Sequence, residues 1–329
     1  MLRGDGGWVA TLCGIASALG YMAANVCLRS VTELDPFWVS QMKALPTVAV
    51  VGPLVALRLV RGQGLVPSTQ MLGVIGGIAL LGQVGGNVAF QWSLGIVGIA
   101  LAVPLTLGTM ITAGALLGWL ILGDRVSKEM TIASGILLIA IIVLSLGAGA
   151  ANASVVGLSA SGFGSGSWYL VVAGVLAACL AGASYSCLSV TLRYCSNRGA
   201  PVASLLFLVG LAGFVVLGAI VAMRHGIRTP WITTSPRDYA YLLGAGTFNL
   251  VAFASLTKAL QLSSVVFVNA LNASQTALAA LAGVVLFGEA FTLTMATGVT
   301  LTAIGLLWMR PRKKPHPSHP PMTAHSSSR

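Results

Sequence analysis

Ten stretches of this chain, 8–28, 37–57, 71–92, 97–121, 130–147, 168–191, 201–223, 239–260, 265–287 and 293–309, are apolar for about the length an α-helix needs to cross ~30 Å of hydrocarbon. Inside a bilayer every backbone N–H and C=O has to be satisfied by the protein itself, so a spanning chain is either helical or a closed barrel. A barrel would show strands of about ten residues with alternating polarity, and the sequence has none of that pattern. Only 8% of the residues are charged, against about 25% in soluble domains, which excludes a water-soluble globular chain. The 40 glycines suit helices that approach one another closely in lipid. The expected fold class is an all-α integral membrane protein of ten transmembrane helices.

A net charge of +11 could point to nucleic acid, but its distribution points to topology. With the N-terminus in the cytoplasm, 13 Lys and Arg residues fall inside and only Arg29, Arg224, Arg228 and Arg237 outside, with Lys43 within a span. That is the positive-inside bias. The expected location is the plasma (inner) membrane, multi-pass, with both termini cytoplasmic. The lipid bilayer is an expected partner and no nucleic acid is expected; contact of the basic stretch 310–314 with anionic lipid is a second, weaker reading of the charge. Removal of the first span as a signal peptide would break a matched set of ten, so it is not expected. The five cysteines show no Cys-x-x-Cys spacing and read as packing residues. No metal site is expected, and the histidines of the tail do not change that.

The chain is also built twice over. An ungapped offset of 165 residues pairs Gly118 with Gly283, Gly123 with Gly288, Asp124 with Glu289, Ser127 with Thr292 and Met130 with Met295. Between the fifth and sixth spans lies an uncharged Gly, Ser and Ala segment with the composition of a flexible linker. The expected units are a first five-helix repeat over 1–147, the linker at 148–167, a second repeat over 168–309 and a disordered basic tail at 310–329. Five is odd, so the second half enters the membrane from the opposite side and the two are inverted repeats. That architecture is found in secondary transporters, with sites near the midplane.

Each half closes its fourth span with an apolar run into Gly-Asp or Gly-Glu, then a short turn and a fifth span containing a glycine, Gly135 or Gly298. In this the chain resembles the EamA family of the drug/metabolite transporter superfamily, over nearly all of residues 8–309. The resemblance implies a carrier of small metabolites or drugs, with a pathway lined mainly by spans one, three, four, six, eight and nine. It identifies a scaffold and leaves the cargo open.

Polar side chains at bilayer depth are tolerated where they face the bundle interior or a watery cavity, which makes them site candidates. Gln83, Asn87 and Gln91 recur at i, i+4 in span three, one narrow helix face. Asn269, Asn272, Gln275 and Thr276 share a face of span nine. Asn25, Thr106 and Asn249 add single polar groups. The competing reading is interhelical glue, at about 0.6 kcal/mol per bond. It is preferred for an isolated amide, whereas lining a pathway is preferred for the stripes. Pro104 frees a carbonyl in span four and reads equally as a hinge beside a substrate or as a packing kink. Lys43 either pairs with an anionic cargo or, the reading preferred at this point, snorkels to the outer interface toward Glu33 or Asp35. Asp124 and Glu289 are expected to serve turns and adjacent helix N-termini.

All seven carboxylates lie in tails, loops or span ends, and no histidine lies within a span. A proton relay through a buried carboxylate or histidine is therefore disfavoured. Phosphate-cradle, His-Glu-x-x-His and Ser/His/Asp patterns are missing, so neither catalytic residues nor a cofactor are expected. The expected function is a secondary transporter for a neutral or zwitterionic hydrogen-bonding solute such as a sugar or amino acid. The alternative is a membrane scaffold or sensor that keeps the transporter fold. A coupling ion, and a monomeric or homodimeric state, are both compatible with the sequence.

Overall fold

The structure, a computed structural model, describes residues 5–66, 68–122, 128–158, 168–262 and 265–308. Among them the chain forms twelve continuous helices and no strand. They are α1 (Asp5–Arg29), α2 (Pro36–Val60), α3 (Thr69–Val97), α4 (Ile99–Leu122), α5 (Lys128–Leu146) and α6 (Ala148–Leu158). The second half contains α7 (Trp168–Asn197), α8 (Val202–His225), α9 (Thr229–Thr233), α10 (Pro236–Leu262), α11 (Val265–Phe287) and α12 (Leu293–Trp308).

Seven of these, α1, α2, α3, α4, α7, α8 and α10, are long and apolar enough to cross a membrane. The remaining three expected spans correspond to shorter apolar segments, Thr131–Leu146, Ser274–Phe287 and Leu293–Gly305. The helices that contain the first two, α5 and α11, run for 19 and 23 residues, about 28 and 34 Å of helix rise. Two helices were not anticipated. One is α9, and the other is α6, which occupies the first part of the Gly/Ser linker. Four alanines in 148–153 give that segment helix propensity that its glycines do not cancel, and Asn152 donates its side-chain N–H to Ile96 O at 2.9 Å.

Helix ends follow local chemistry. The Asp35 carboxylate accepts from Phe37 N at 2.8 Å and Trp38 N at 3.3 Å, and Pro36 opens α2 where no N–H is needed. Ser68 caps α3 through Met71 N. Gly98, at φ 75°, separates α3 from α4 with a backbone that a side chain would strain. Both α3 and α8 contain a π-helical segment, Gly82–Val88 and Gly213–Leu217 respectively.

Packing pairs the helices in matched sets. α1 lies along α10 as α3 lies along α7; α1 meets α11 as α7 meets α4; α2 meets α8, and α5 meets α12. Close approaches occur at small residues: Gly20 on Ala252, Gly182 on the Thr106 carbonyl, Gly246 on the Lys43 carbonyl, and Gly298 and Gly305 on Leu144 and Leu137. The first turns of α4 are the most enclosed part of the bundle, with Ile99, Ala100, Leu101, Ala102 and Leu105 fully buried. Leu12, Ile15 and Leu19 on α1 and Val50, Leu54 and Leu57 on α2 face outward, as lipid-facing side chains do.

Candidate functional site

The polar groups of the bundle interior converge on α3. Gly85 and Gly86 leave so little room that a Cβ at either would run into Ser184 or the Tyr185 ring of α7. That closeness brings the Tyr185 hydroxyl to Asn87, where it donates to Oδ1 at 2.7 Å. The same oxygen accepts from Lys43 Nζ of α2 at 2.9 Å. Asn87 Nδ2 donates to Gln83 Oε1 at 2.7 Å, and Gln83 Nε2 donates to Val209 O of α8 at 2.8 Å. Gly213, the first residue of the second π segment, lies directly against the Gln83 amide. One connected network thus ties α2 and α3 to α7 and α8.

Its depth follows from helix rise. Asn87 lies ten residues from the end of α3, about 15 Å and hence near mid-membrane, and Lys43 lies seven residues into α2, about 10 Å. The Lys43 ammonium is turned into the bundle, which corrects the expectation that it snorkels toward Glu33 or Asp35. Asp35 is instead engaged by Arg224 at 3.0 Å and His225 at 3.1 Å. Inward, the lysine finds a hydrogen-bond acceptor, and the close packing of Gly246 on its carbonyl holds α2 in the required rotation.

The expected amide stripe is interrupted. Gln83 and Asn87 belong to the network, but Gln91 Nε2 donates to Leu28 O of α1 at 3.0 Å. A π segment carries more residues per turn than an α-helix, so positions beyond it leave the α-helical i, i+4 line. Thr106 donates to Ala178 O at 3.1 Å, joining α4 to α7. Asn25 and Asn249 are half-buried, and neither makes a side-chain hydrogen bond to a described residue. Gln275 is buried in α11. The side chains of Asn269 and Asn272 lie outside the described residues. α4 runs without a break through Pro104.

Tyr185 was not anticipated, although a tyrosine in an apolar span has a hydroxyl that needs a partner and so signals a polar neighbour.

A second polar cluster closes one end of the bundle. Glu289, 3% exposed, accepts from Ile99 N at 3.0 Å and Ala100 N at 2.9 Å, and from Arg29 Nε at 2.8 Å. Arg29 also donates to Thr32 Oγ1 and stacks over Phe287. Gly98 and Gly283 supply the space, since a Cβ on either would strike the carboxylate. Glu289 therefore serves a helix N-terminus, that of α4 in the other half of the chain. Asp124 lies outside the described residues.

Two hollows open at the surface of the described residues. One of about 190 Å³ is lined by Glu33, Asp35, Trp38, His225 and the threonines of α9, beside an aromatic group in which Trp38 meets Trp231 edge-on at 4.9 Å. The other, about 320 Å³ between α3 and α8, is lined by Leu72, Gly76, Leu208, Leu211, Ala212 and Val215. Its wholly apolar lining suits an acyl chain better than a polar solute.

Residues 172–310 match the EamA-like transporter family. A solved crystal structure superposes on the chain with a TM-score of 0.57 at 17% identity, covering 91% of this chain and 96% of that one. At that identity the likeness shows a shared fold and nothing about cargo. No curated protein matches the chain.

Proposed function

We propose that this chain, which carries an EamA-like transporter family domain over residues 172–310, is a secondary transporter that moves a small hydrogen-bonding metabolite by alternating access. One observation carries the reading: a connected polar network lies at mid-membrane depth and is built from both halves, with Lys43, Gln83 and Asn87 from the first and Tyr185 from the second. Polar groups so placed are expensive in lipid and are characteristic of transport pathways.

The matched helix pairings and the 165-residue offset support two inverted five-helix repeats, ten spans in all. Rocking one repeat against the other would then expose a midplane site to each side in turn. In this reading both termini are cytoplasmic in the plasma (inner) membrane, Asp124 is the corner corresponding to Glu289 on the opposite face, and Asn269 and Asn272 line the pathway from α11.

The test is flux of small polar metabolites into proteoliposomes carrying the purified protein. Asn87→Ala removes the acceptor shared by Lys43 and Tyr185. It should reduce uptake at least tenfold while folded yield stays within about twofold of the parent. Normal uptake by this variant removes the network from the pathway. The alternative, a scaffold or sensor, predicts that no solute crosses at all.

A further inference from the structure

We infer that the cargo carries a carboxylate and that Lys43 is the residue that binds it; the inference rests on the transporter reading above and narrows its cargo. The Lys43 ammonium has three N–H donors and spends one, on Asn87 Oδ1 at 2.9 Å. That acceptor is a neutral amide, already shared with the Tyr185 hydroxyl. Among the described residues no carboxylate pairs with Lys43: Glu33 and Asp35 line the surface hollow beside α9, where Arg224 and His225 hold Asp35, while Asp238 is held by Ser235 and Glu289 by Arg29. A cation within a span is costly, and such residues usually pair with an opposite charge. Here the described residues provide a hydrogen bond but no counter-charge.

Uncommitted polar groups lie at the same level. In the antiparallel pair α1 and α10, Gly20 opposes Ala252 and Cys27 lies beside Gly244. Asn25 therefore falls level with the stretch 244–252 of α10. Within that stretch Gly246 touches the Lys43 carbonyl, and Asn249 sits one turn further on the same side of the helix. The side chains of Asn25 and Asn249 make no hydrogen bond to described residues. A solute with its carboxylate on Lys43 could use both amides for hydroxyl, amino or carbonyl groups. Small amino acids, hydroxy acids and sugar acids fit this chemistry. An organic cation does not, and an uncharged sugar leaves the ammonium without a counter-ion.

The test is a thermal-shift series on purified full-length protein with paired probes: lactate and lactamide, gluconate and glucose, and N-acetylalanine and its amide. Carboxylates should stabilise the protein at concentrations at least tenfold lower than their uncharged partners, because ligand bound to the folded state adds stability by mass action. Lys43→Gln should abolish that difference and Lys43→Arg should retain most of it.

Asn87→Asp guards against a variant that simply fails to fold. It places a carboxylate 2.9 Å from the ammonium at the cost of the hydrogen bond that Asn87 donates to Gln83, and should occupy the cargo's position, so that the ligand-free protein still folds while the carboxylate-induced shift disappears. Preferential stabilisation by the uncharged probes, or carboxylate shifts unchanged in both Lys43→Gln and Asn87→Asp, overturns the inference and leaves the transporter reading standing. If no probe stabilises the protein or crosses the bilayer, both fall.

Discussion

Glu289 shows how much one side chain can settle. Its carboxylate satisfies two of the N–H groups left open at the start of α4 and neutralises Arg29, all with almost no access to solvent. Removing one member of a buried ion pair leaves the other charge uncompensated, at a cost of about 3–5 kcal/mol. Glu289→Ala should therefore lower the unfolding temperature in detergent markedly. Glu289→Gln, which keeps one acceptor for α4, should fall between that variant and the parent. An unchanged melting curve for Glu289→Ala would show that the cluster does not hold the end of α4. The role was legible in the sequence, because Gly-Glu at a span end predicts a carboxylate near a helix N-terminus. Which helix was not, since Ile99 and Glu289 are 190 residues apart. Lys43 was misjudged for a related reason: snorkelling and inward pairing differ by a rotation of α2 about its axis, and that rotation is set by α3 and α10.

At the scale of the element, α3 carries the most information. Its apolar length made it visible as a span, and its amides made it a candidate lining. The π segment at Gly82–Val88 was hidden because an α-helical and a π-helical reading of the same residues share composition and differ only in spacing. Its glycines give a paired prediction on one helix. Gly86→Ala must displace the Tyr185 ring, with overpacking costs of about 1–3 kcal/mol, and should reduce transport about tenfold by breaking the Tyr185–Asn87 bond. Gly73→Ala, with nothing within 4 Å of its new methyl, should transport like the parent. Equal effects in the two variants would mean that helix flexibility, and not the contact with α7, is what glycine supplies there.

For the whole molecule, orientation is the property most open to a direct check. The proposed orientation, argued from the 13-to-4 division of basic residues, would put the turn at 61–66 inside and the turn at 226–228 outside. A cysteine at Ile227, 77% exposed, should react with a membrane-impermeant maleimide on intact cells. A cysteine at Gly64 should react only after permeabilisation. The five native cysteines lie within helices, none of them fully exposed, and provide a low background. The reverse labelling pattern would invert the topology without altering the fold.

The cap on α4 bears on how the molecule comes to be made. A helix whose first N–H groups wait for residue 289 cannot complete its own end while the ribosome is still working through the linker. Until then Ile99 and Ala100 must find other acceptors, in lipid headgroups, in water or in the insertion machinery. The first half therefore enters the membrane provisionally, and its last structural detail arrives with the connection between α11 and α12, the last two helices of the second.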